Sequence, residues 1–307
     1  MSGTRRVVAL FRKASYSPNQ HRTNDTAILE ETVARVVARG WTATRLDETE
    51  IESGAAIPPA ELYLNMCQGA RASEALQALE AKGVSILNPP SSVLGCHRHR
   101  LVPAMRAAEV PFPETVVILS EAKDLLWSGR DEQQILRLAE DDERIWLKRG
   151  DVHAERSEDV VCVAPNDLDT AIDAFRARGI TRISLQRHVE GPVVKFYGTA
   201  DARFFRFYDS SAGPNGPAPD VDVDRLRAVA FAAAKVVGLG IFGGDVVVRS
   251  PNEPILIDLN DWPSFAPFRD EAADHIADFA VARAQEHLRQ KYSSSSPSIT
   301  ELAADLV

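Results

Sequence analysis

Asp245, Asp258 and Asn260 are the residues of this chain whose type and spacing point most directly to chemistry. They lie on two apolar segments, residues 242–248 and 255–263, separated by a turn through Ser250, Pro251, Asn252, Glu253 and Pro254. Side chains alternate across a strand, so Asp258 and Asn260 share one face while Ile257 and Leu259 take the other. A hairpin brings Asp245 beside them. Three hard oxygen donors on one face suit a Mg²⁺ ion that also holds nucleotide phosphates. The apolar flanks predict burial, where a carboxylate without a cation is costly. The pattern predicts an enzyme.

Two lysines extend the constellation. Lys148 closes the apolar segment 145–148 just before Arg149, Gly150 and Asp151, where it can reach into a cleft as a point charge for phosphate. Lys195 stands inside the apolar segment 193–197 and needs an anionic partner there. Between them, residues 183–192 read as a strand breaking into a polar turn, whose backbone can offer N–H and C=O groups to an adenine edge. His97, His99, His153 and His188 lack the spacing of a transition-metal site, and His97 to Arg100 reads as an anion patch.

The elements that must position these residues follow from periodicity. Strands are expected at residues 7–11, 42–46, 62–66 and 84–87, with helices at 25–39 and 72–82 between them; this alternation predicts a doubly wound parallel sheet. Ligands then sit at the carboxyl ends of the strands, which points to residues 15–22 and 65–69 as substrate contacts. A middle block has a helix at 100–108, strands at 116–119 and 145–148, a partly helical charged segment at 120–144, a helix at 167–178 and a strand at 182–186. The last block has strands at 193–197 and 204–208, a helix at 224–237, the hairpin, and a closing helix at 271–290. Arg203 and Arg206, three apart on one strand, face opposite ways, so at most one faces the cleft.

The 307 residues, 45% hydrophobic and 26% charged, are those of an ordinary globular protein. A net charge of −9 argues against nucleic acid or an anionic membrane as partner. Cys67, Cys96 and Cys162 are widely spaced and read as reduced core thiols, giving a cytoplasmic expectation. No run approaches the roughly 20 apolar residues of a membrane span.

Taken in order, Asn88-Pro89-Pro90, Arg100, residues 110–115, Lys148, Gln186 to Glu190, Lys195, Asp245 and Asp258-Leu259-Asn260 resemble the ATP-grasp superfamily. The resemblance spans nearly the whole chain. Residues 185–198 look most like the branch of ribosomal-protein glutamate ligases and inositol trisphosphate kinases. It implies an α/β fold in which a doubly wound N-terminal domain (residues 1–95) precedes a two-subdomain grasp (96–186 and 187–290), with 291–307 a flexible linker and short terminal helix.

The roles it implies are nucleotide contacts from Arg100, Lys148, Gln186, His188, Val189, Glu190 and Lys195, and one or two Mg²⁺ ions, Mn²⁺ being an allowed substitute, on Asp245, Asp258 and Asn260. Arg203 would be the catalytic clamp. The implied activity is an ADP-forming ligase that joins a carboxylate to an amine through an acyl phosphate. The rivals are a small-molecule kinase of the inositol-phosphate type and a degenerate nucleotide binder without turnover. Partners are then ATP and a small carboxylate or hydroxyl substrate, and a homodimer is allowed.

The chain departs from the family pattern in three places. Arg100 replaces an Asp-Lys pair, the flap after Lys148 keeps only Gly150, and Ser264 replaces a glycine.

Overall fold

The computed structural model describes residues 5–17, 22–119, 138, 144–152 and 156–294. The expected helix within 120–144, apart from Leu138 and Arg144, lies outside the described residues, as do 18–21, His153 and 295–307.

The first block is built from β1 (Arg6–Phe11), α1 (Arg22–Ala38), β2 (Thr42–Asp47), α2 (Glu48–Glu52), β3 (Leu62–Asn65), α3 (Ala70–Glu80) and β4 (Ile86–Leu87). Its strands form a parallel sheet in the order β2-β1-β3-β4. A central parallel strand is covered on both faces and must be apolar throughout. Accordingly Val7, Ala9 and Phe11 pack with Ile28, Leu29 and Val36 of α1, while Val8 and Leu10 pack with Ile51 of α2 and Leu76 of α3. The sheet is doubly wound, as expected.

Two short helices, α4 (Pro90–Gly95) and α5 (Arg98–Ala107), lead to β5 (Thr115–Ile118), β6 (Ile145–Arg149), β7 (Val160–Val163), α6 (Leu168–Ala177) and β8 (Ile183–Arg187). This sheet is antiparallel, ordered β5-β8-β6-β7. Leu168, Ile172 and Phe175 make one stripe of α6 and bury Ile145, Leu147, Ile183 and Leu185. Periodicity did not predict β7, an edge strand of four residues. Cys162 is exposed on it, against the expectation of a core thiol, whereas Cys67 and Cys96 are buried.

The third sheet, β10-β9-β11-β12, is antiparallel and uses β9 (Val193–Thr199), β10 (Phe205–Asp209), β11 (Ile241–Val248) and β12 (Pro254–Asp261). Helix α7 (Val223–Val237) covers one face, with Leu226, Ala230 and Ala233 against Phe196, Phe205, Phe242 and Leu259. Its ends are set locally. Asp222 accepts from the backbone N–H of Asp224 and Arg225, and Gly238 closes the helix at φ 82°.

The last helix, α8 (Arg269–Ser294), runs beyond the expected limit of residue 290 and returns to pack on α1. Arg35 pairs with Asp270 (2.8 Å) and Asp274 (3.0 Å), and Arg39 with Asp278 (2.7 Å). Fully buried Asn88 ties the first block to the third sheet. Its amide oxygen accepts from Gly240 N–H (2.8 Å) and Ile241 N–H (2.9 Å), and its amide nitrogen donates to Ile241 O (2.7 Å). Among the described residues, no helix is long and apolar enough to cross a membrane.

Candidate active site

Strand register assembles the site. On the face of the third sheet opposite α7, Tyr208, Lys195, Asp245 and Asp258 stand side by side across all four strands. Tyr197, Gly243 and Asn260 form the neighbouring row. Cross-strand neighbours lie close enough to interact directly, and Lys195 Nζ donates to Asp245 Oδ1 at 2.9 Å. Burial works against the Lys195 charge, but the ion pair and hydrogen bond with Asp245 outweigh it and its pKa stands raised.

A register shift between Asp245 and Val246 makes a β-bulge: Asp245 pairs with Asp258, but Val246 pairs with Leu256. Ile257 is the extra residue. A bulge re-aims the side chains around it, and Ile257, expected on the face opposite Asp258, lines the same cavity as Asp258. A glycine is required at position 244, because a β-carbon there would collide with the Asp258 carbonyl oxygen.

Lys148 reaches this bulge from the second sheet. Its ammonium donates to Gln186 Oε1 (2.6 Å) and to Ile257 O (3.0 Å), and it makes no ion pair among the described residues. Only 5% of the residue is exposed. Desolvation lowers its pKa to about 8, with nearby Arg98 adding to the fall and the Asp258 and Asp245 carboxylates opposing it. The site thus holds a buried cation that lacks a directly paired anion.

Two adjoining cavities meet at this row of charges. The outer one, about 280 Å³, is walled by Trp146, Val160, Val189, Val193, Val247 and Ile257, with Lys148, Gln186 and His188 as polar groups. Trp146 Nε1–H donates to His188 Nδ1 at 2.9 Å and fixes that ring. The inner cavity, about 310 Å³, runs from Lys195, Asp245, Asp258 and Asn260 to Arg12, Tyr16, Asp25 and Gln68 of the first block. Arg98, Val160, Lys195, Asp245 and Asp258 border both.

The expected site residues therefore divide. Lys148, Gln186, His188, Val189, Lys195, Asp245, Asp258 and Asn260 come together around the two cavities. Arg100 does not: it is exposed on α5 and lines neither cavity. The arginine at the site is Arg98, about half a helical turn earlier. Its Nη2 donates to Asp258 Oδ2 at 2.6 Å and its Nη1 to Arg149 O at 2.9 Å.

Arg203 is also displaced. It lies in the turn before β10, is 71% exposed and leans on Asp201, and Arg206 pairs with Glu271 of α8. Neither lines a cavity: Arg203 precedes β10, and Arg206, opposite Tyr197 on β9, is held by Glu271. Glu190 is exposed and pairs with Arg144 and His188 beside the outer cavity, not in its wall.

The segments 15–22 and 65–69 reach the inner cavity through Tyr16 and Gln68, and Arg12 and Asp25, which lie outside both segments, line it as well.

The donor set fits Mg²⁺ in kind. Two carboxylates on paired positions and an amide two residues on are hard oxygen donors facing one cavity. Among the described residues no group of three or more His, Cys, Asp and Glu side chains is gathered as a metal cluster, so Asn260 is needed to complete a set.

The chain matches solved structures over nearly its whole length. One is a RimK domain ATP-grasp protein from Sphaerobacter thermophilus, 19% identical, with a TM-score of 0.63 over 90% of this chain and 99% of that one. The chain has the ATP-grasp fold. A D-alanine–D-alanine ligase from Bacillus anthracis, solved with ATP, shares it at 12% identity, TM-score 0.65, over 94% of this chain and 100% of that one. The ATP-grasp ligase PsnB, solved with a precursor peptide and AMPPNP, shares it at 15% identity, TM-score 0.59, over 92% and 99%. No family model matches the sequence, and no curated protein matches it. In this chain the two antiparallel sheets of the ATP-grasp fold enclose the outer cavity, and the doubly wound block closes the inner one.

Proposed function

We propose that this protein is an ATP- and Mg²⁺-dependent, ADP-forming ligase that joins a carboxylate to an amine. The observation that carries the reading is Lys148, a buried ammonium without a carboxylate partner among the described residues, standing where an apolar cavity meets a row of acidic side chains. Such a cation is costly unless an anion arrives to pair with it. A nucleotide supplies that anion, with its base in the apolar outer cavity. The backbone of His188 and Val189 makes no backbone hydrogen bond among the described residues, which leaves N–H and C=O groups for an adenine edge.

The phosphates then run along Lys148, Arg98 and Lys195 toward the inner cavity. Asp245, Asp258 and Asn260 would hold Mg²⁺, which when bound offsets charge on the transferring phosphoryl group. The chain's own part is positioning and electrostatic stabilisation. Lys148 and Arg98 orient the phosphates, Lys195 is aimed by Asp245, and the inner cavity brings the acceptor to the γ-phosphoryl end. A substrate carboxylate oxygen attacks the γ-phosphorus there as the bond to ADP breaks, giving an acyl phosphate and ADP; an amine then attacks the acyl carbon and forms the amide with loss of a proton and phosphate. No nucleophilic side chain is required.

The inositol-phosphate kinase reading fits less well. A polyphosphate acceptor calls for a dense basic pocket, while the inner end of this cavity sets Arg12 against Asp25 and Asp261. The degenerate reading loses one of its supports, since Arg98 supplies the cation that Arg100 does not. The test is ADP release from Mg·ATP with pools of amino acids, dicarboxylates and inositol phosphates, followed by product mass. An amide product is expected. A phosphorylated alcohol, or nucleotide binding without turnover, would overturn the ligase.

A further inference from the structure

The two carboxylates that the ligase reading gives to Mg²⁺ are each held by a cation of the chain itself. Lys195 Nζ stands 2.9 Å from Asp245 Oδ1, and Arg98 Nη2 stands 2.6 Å from Asp258 Oδ2. Both pairs lie at the junction of the two cavities, since all four residues border both. The Asp245 side chain is 20% exposed, that of Asp258 19% and that of Arg98 6%, so water screens these charges only in part. Lys195, at 39%, is the most accessible of the four.

Their order follows from the fold. Asp245 on β11 is the register partner of Lys195 on β9 and of Asp258 on β12, and Arg98 reaches Asp258 from the start of α5, where its Nη1 is anchored on Arg149 O. Two carboxylates therefore stand side by side with a cation at each end. Lys148, whose charge is felt by Asp258, Arg98 and Asp245, makes three cations against two carboxylates. The next carboxylate along β12, Asp261, is paired with Arg12 at 3.9 Å. A bare divalent ion entering here meets a net positive set and must displace an ammonium or a guanidinium. A nucleotide without metal meets the opposite obstacle: drawing Lys195 and Arg98 to its phosphates strips two adjacent carboxylates of their counter-charges. Metal and nucleotide together remove both obstacles.

We propose that Lys195 and Arg98 are a cation lock on the metal ligands, holding Asp245 and Asp258 until a metal–nucleotide complex arrives and then exchanging these carboxylates for phosphate oxygens. The two residues are thus specificity determinants: they make the site take metal and nucleotide together in preference to either alone. The inference rests on the reading that this site binds a nucleotide with its metal. No covalent bond changes in the exchange; each cation trades one anionic partner for another.

Mn²⁺ titration of the full chain, read by the paramagnetic resonance of the free ion, tests the lock without turnover. In the absence of nucleotide, Lys195→Met should bind Mn²⁺ at least about tenfold more tightly than the wild type, because a positive charge beside the ion's ligands is gone. The same variant should bind metal-free AMPPNP at least about tenfold more weakly. A general loosening of the site would weaken both ligands; the lock moves them in opposite directions. Arg98→Met should repeat the pattern through Asp258. Adding Asp245→Asn to Lys195→Met should return Mn²⁺ affinity to the wild-type level or below. No gain of Mn²⁺ affinity in folded Lys195→Met, or a gain that survives Asp245→Asn, would overturn the lock.

Calorimetry of the wild type supplies the second arm. AMPPNP with Mn²⁺ is expected to bind at least about tenfold more tightly than AMPPNP in EDTA, since linkage between the two ligands is reciprocal. Equal affinity with and without metal would overturn the exchange. Failure of Mn·AMPPNP to bind at all would instead sink the nucleotide reading, while the Mn²⁺ titrations without nucleotide still decide whether Lys195 guards Asp245.

Discussion

Lys148 Nζ donates to the carbonyl oxygen of Ile257 at 3.0 Å, joining the second sheet to the third across the outer cavity. The acceptor exists because of the bulge: Ile257 has no register partner on β11, so its backbone is released from the ladder. One irregular residue thus orients the buried cation on which the nucleotide reading rests.

Replacing that cation should separate binding from stability. Lys148→Met is expected to weaken Mg·ATP binding by about ten- to a hundredfold, the value of one or two charge-assisted hydrogen bonds. The Lys148 pKa is lowered from 10.5 to about 8. The native state therefore loses this proton first as pH rises, and the burial penalty is relieved between pH 8 and 10.5. Across that window the wild type should gain up to about 3 kcal/mol relative to Lys148→Met. Urea unfolding of both proteins at about pH 7.5 and about pH 10 measures the difference; an unchanged gap would contradict the desolvated lysine.

Arg98 and Arg100 should behave oppositely. Arg100→Ala is expected to alter nucleotide affinity less than about twofold and stability by no more than about 0.5 kcal/mol, as for exposed positions generally. Arg98→Ala leaves Asp258 without its 2.6 Å partner and should weaken nucleotide binding at least tenfold. Parallel nucleotide titrations of the two variants decide this, and equal losses would place the functional cation elsewhere.

Asp258→Asn should abolish turnover and cost stability as well. It removes one expected Mg²⁺ ligand and the charge opposite Arg98, and losing a charge-assisted hydrogen bond in a partly buried pair costs about 1.5–3 kcal/mol. A double-mutant cycle of Arg98→Met with Asp258→Asn should return a coupling of about 1–3 kcal/mol in unfolding free energy. Additive effects would mean the pair is not coupled.

Glu48→Gln probes the loops under the inner cavity, where the ligase reading puts the acceptor. The Glu48 carboxylate accepts three backbone N–H bonds, from Lys13 (2.7 Å), Gln68 (2.9 Å) and Gly69 (2.5 Å). Burial nevertheless raises its pKa, the three bonds and Arg12 only limiting the rise. Above the normal glutamate range its charge therefore opposes folding, and stability from this group falls as pH climbs from the unfolded value of 4.5 through the raised one. The amide can serve fewer of the three donors, so at neutral pH Glu48→Gln should lose about 1–2 kcal/mol net and raise the acceptor KM with nucleotide KM unchanged. Steady-state kinetics with each substrate varied in turn reads this; equal shifts in both would assign Glu48 a general structural role.

Much of this architecture was legible because local rules governed it. The continuous apolar run Val7 to Phe11 can only be a strand buried on both faces, and the alternation around Asp258 and Asn260 did put both on the cavity. Lys195, an isolated charge in an apolar strand, required a partner and has Asp245. Alternation failed at Ile257, where a bulge breaks the period of two. Its neighbours Ile255, Leu256 and Leu259 are all apolar, so nothing in the local pattern announces the extra residue.

The sequence by itself determined the types of element, the hairpin with its acidic face, and the lysines at strand positions, since each follows from side-chain periodicity within a few residues. Tertiary structure alone decided that Arg98 and not Arg100 enters the site, that Arg203 turns to solvent, and that Arg12 and Asp25 join Gln68 in the wall of the inner cavity. Those outcomes depend on the rotation of α5 and on contacts between residues as far apart as Gln68 and Asp261. A periodic pattern says which face of an element is buried; it does not say which distant element will bury it.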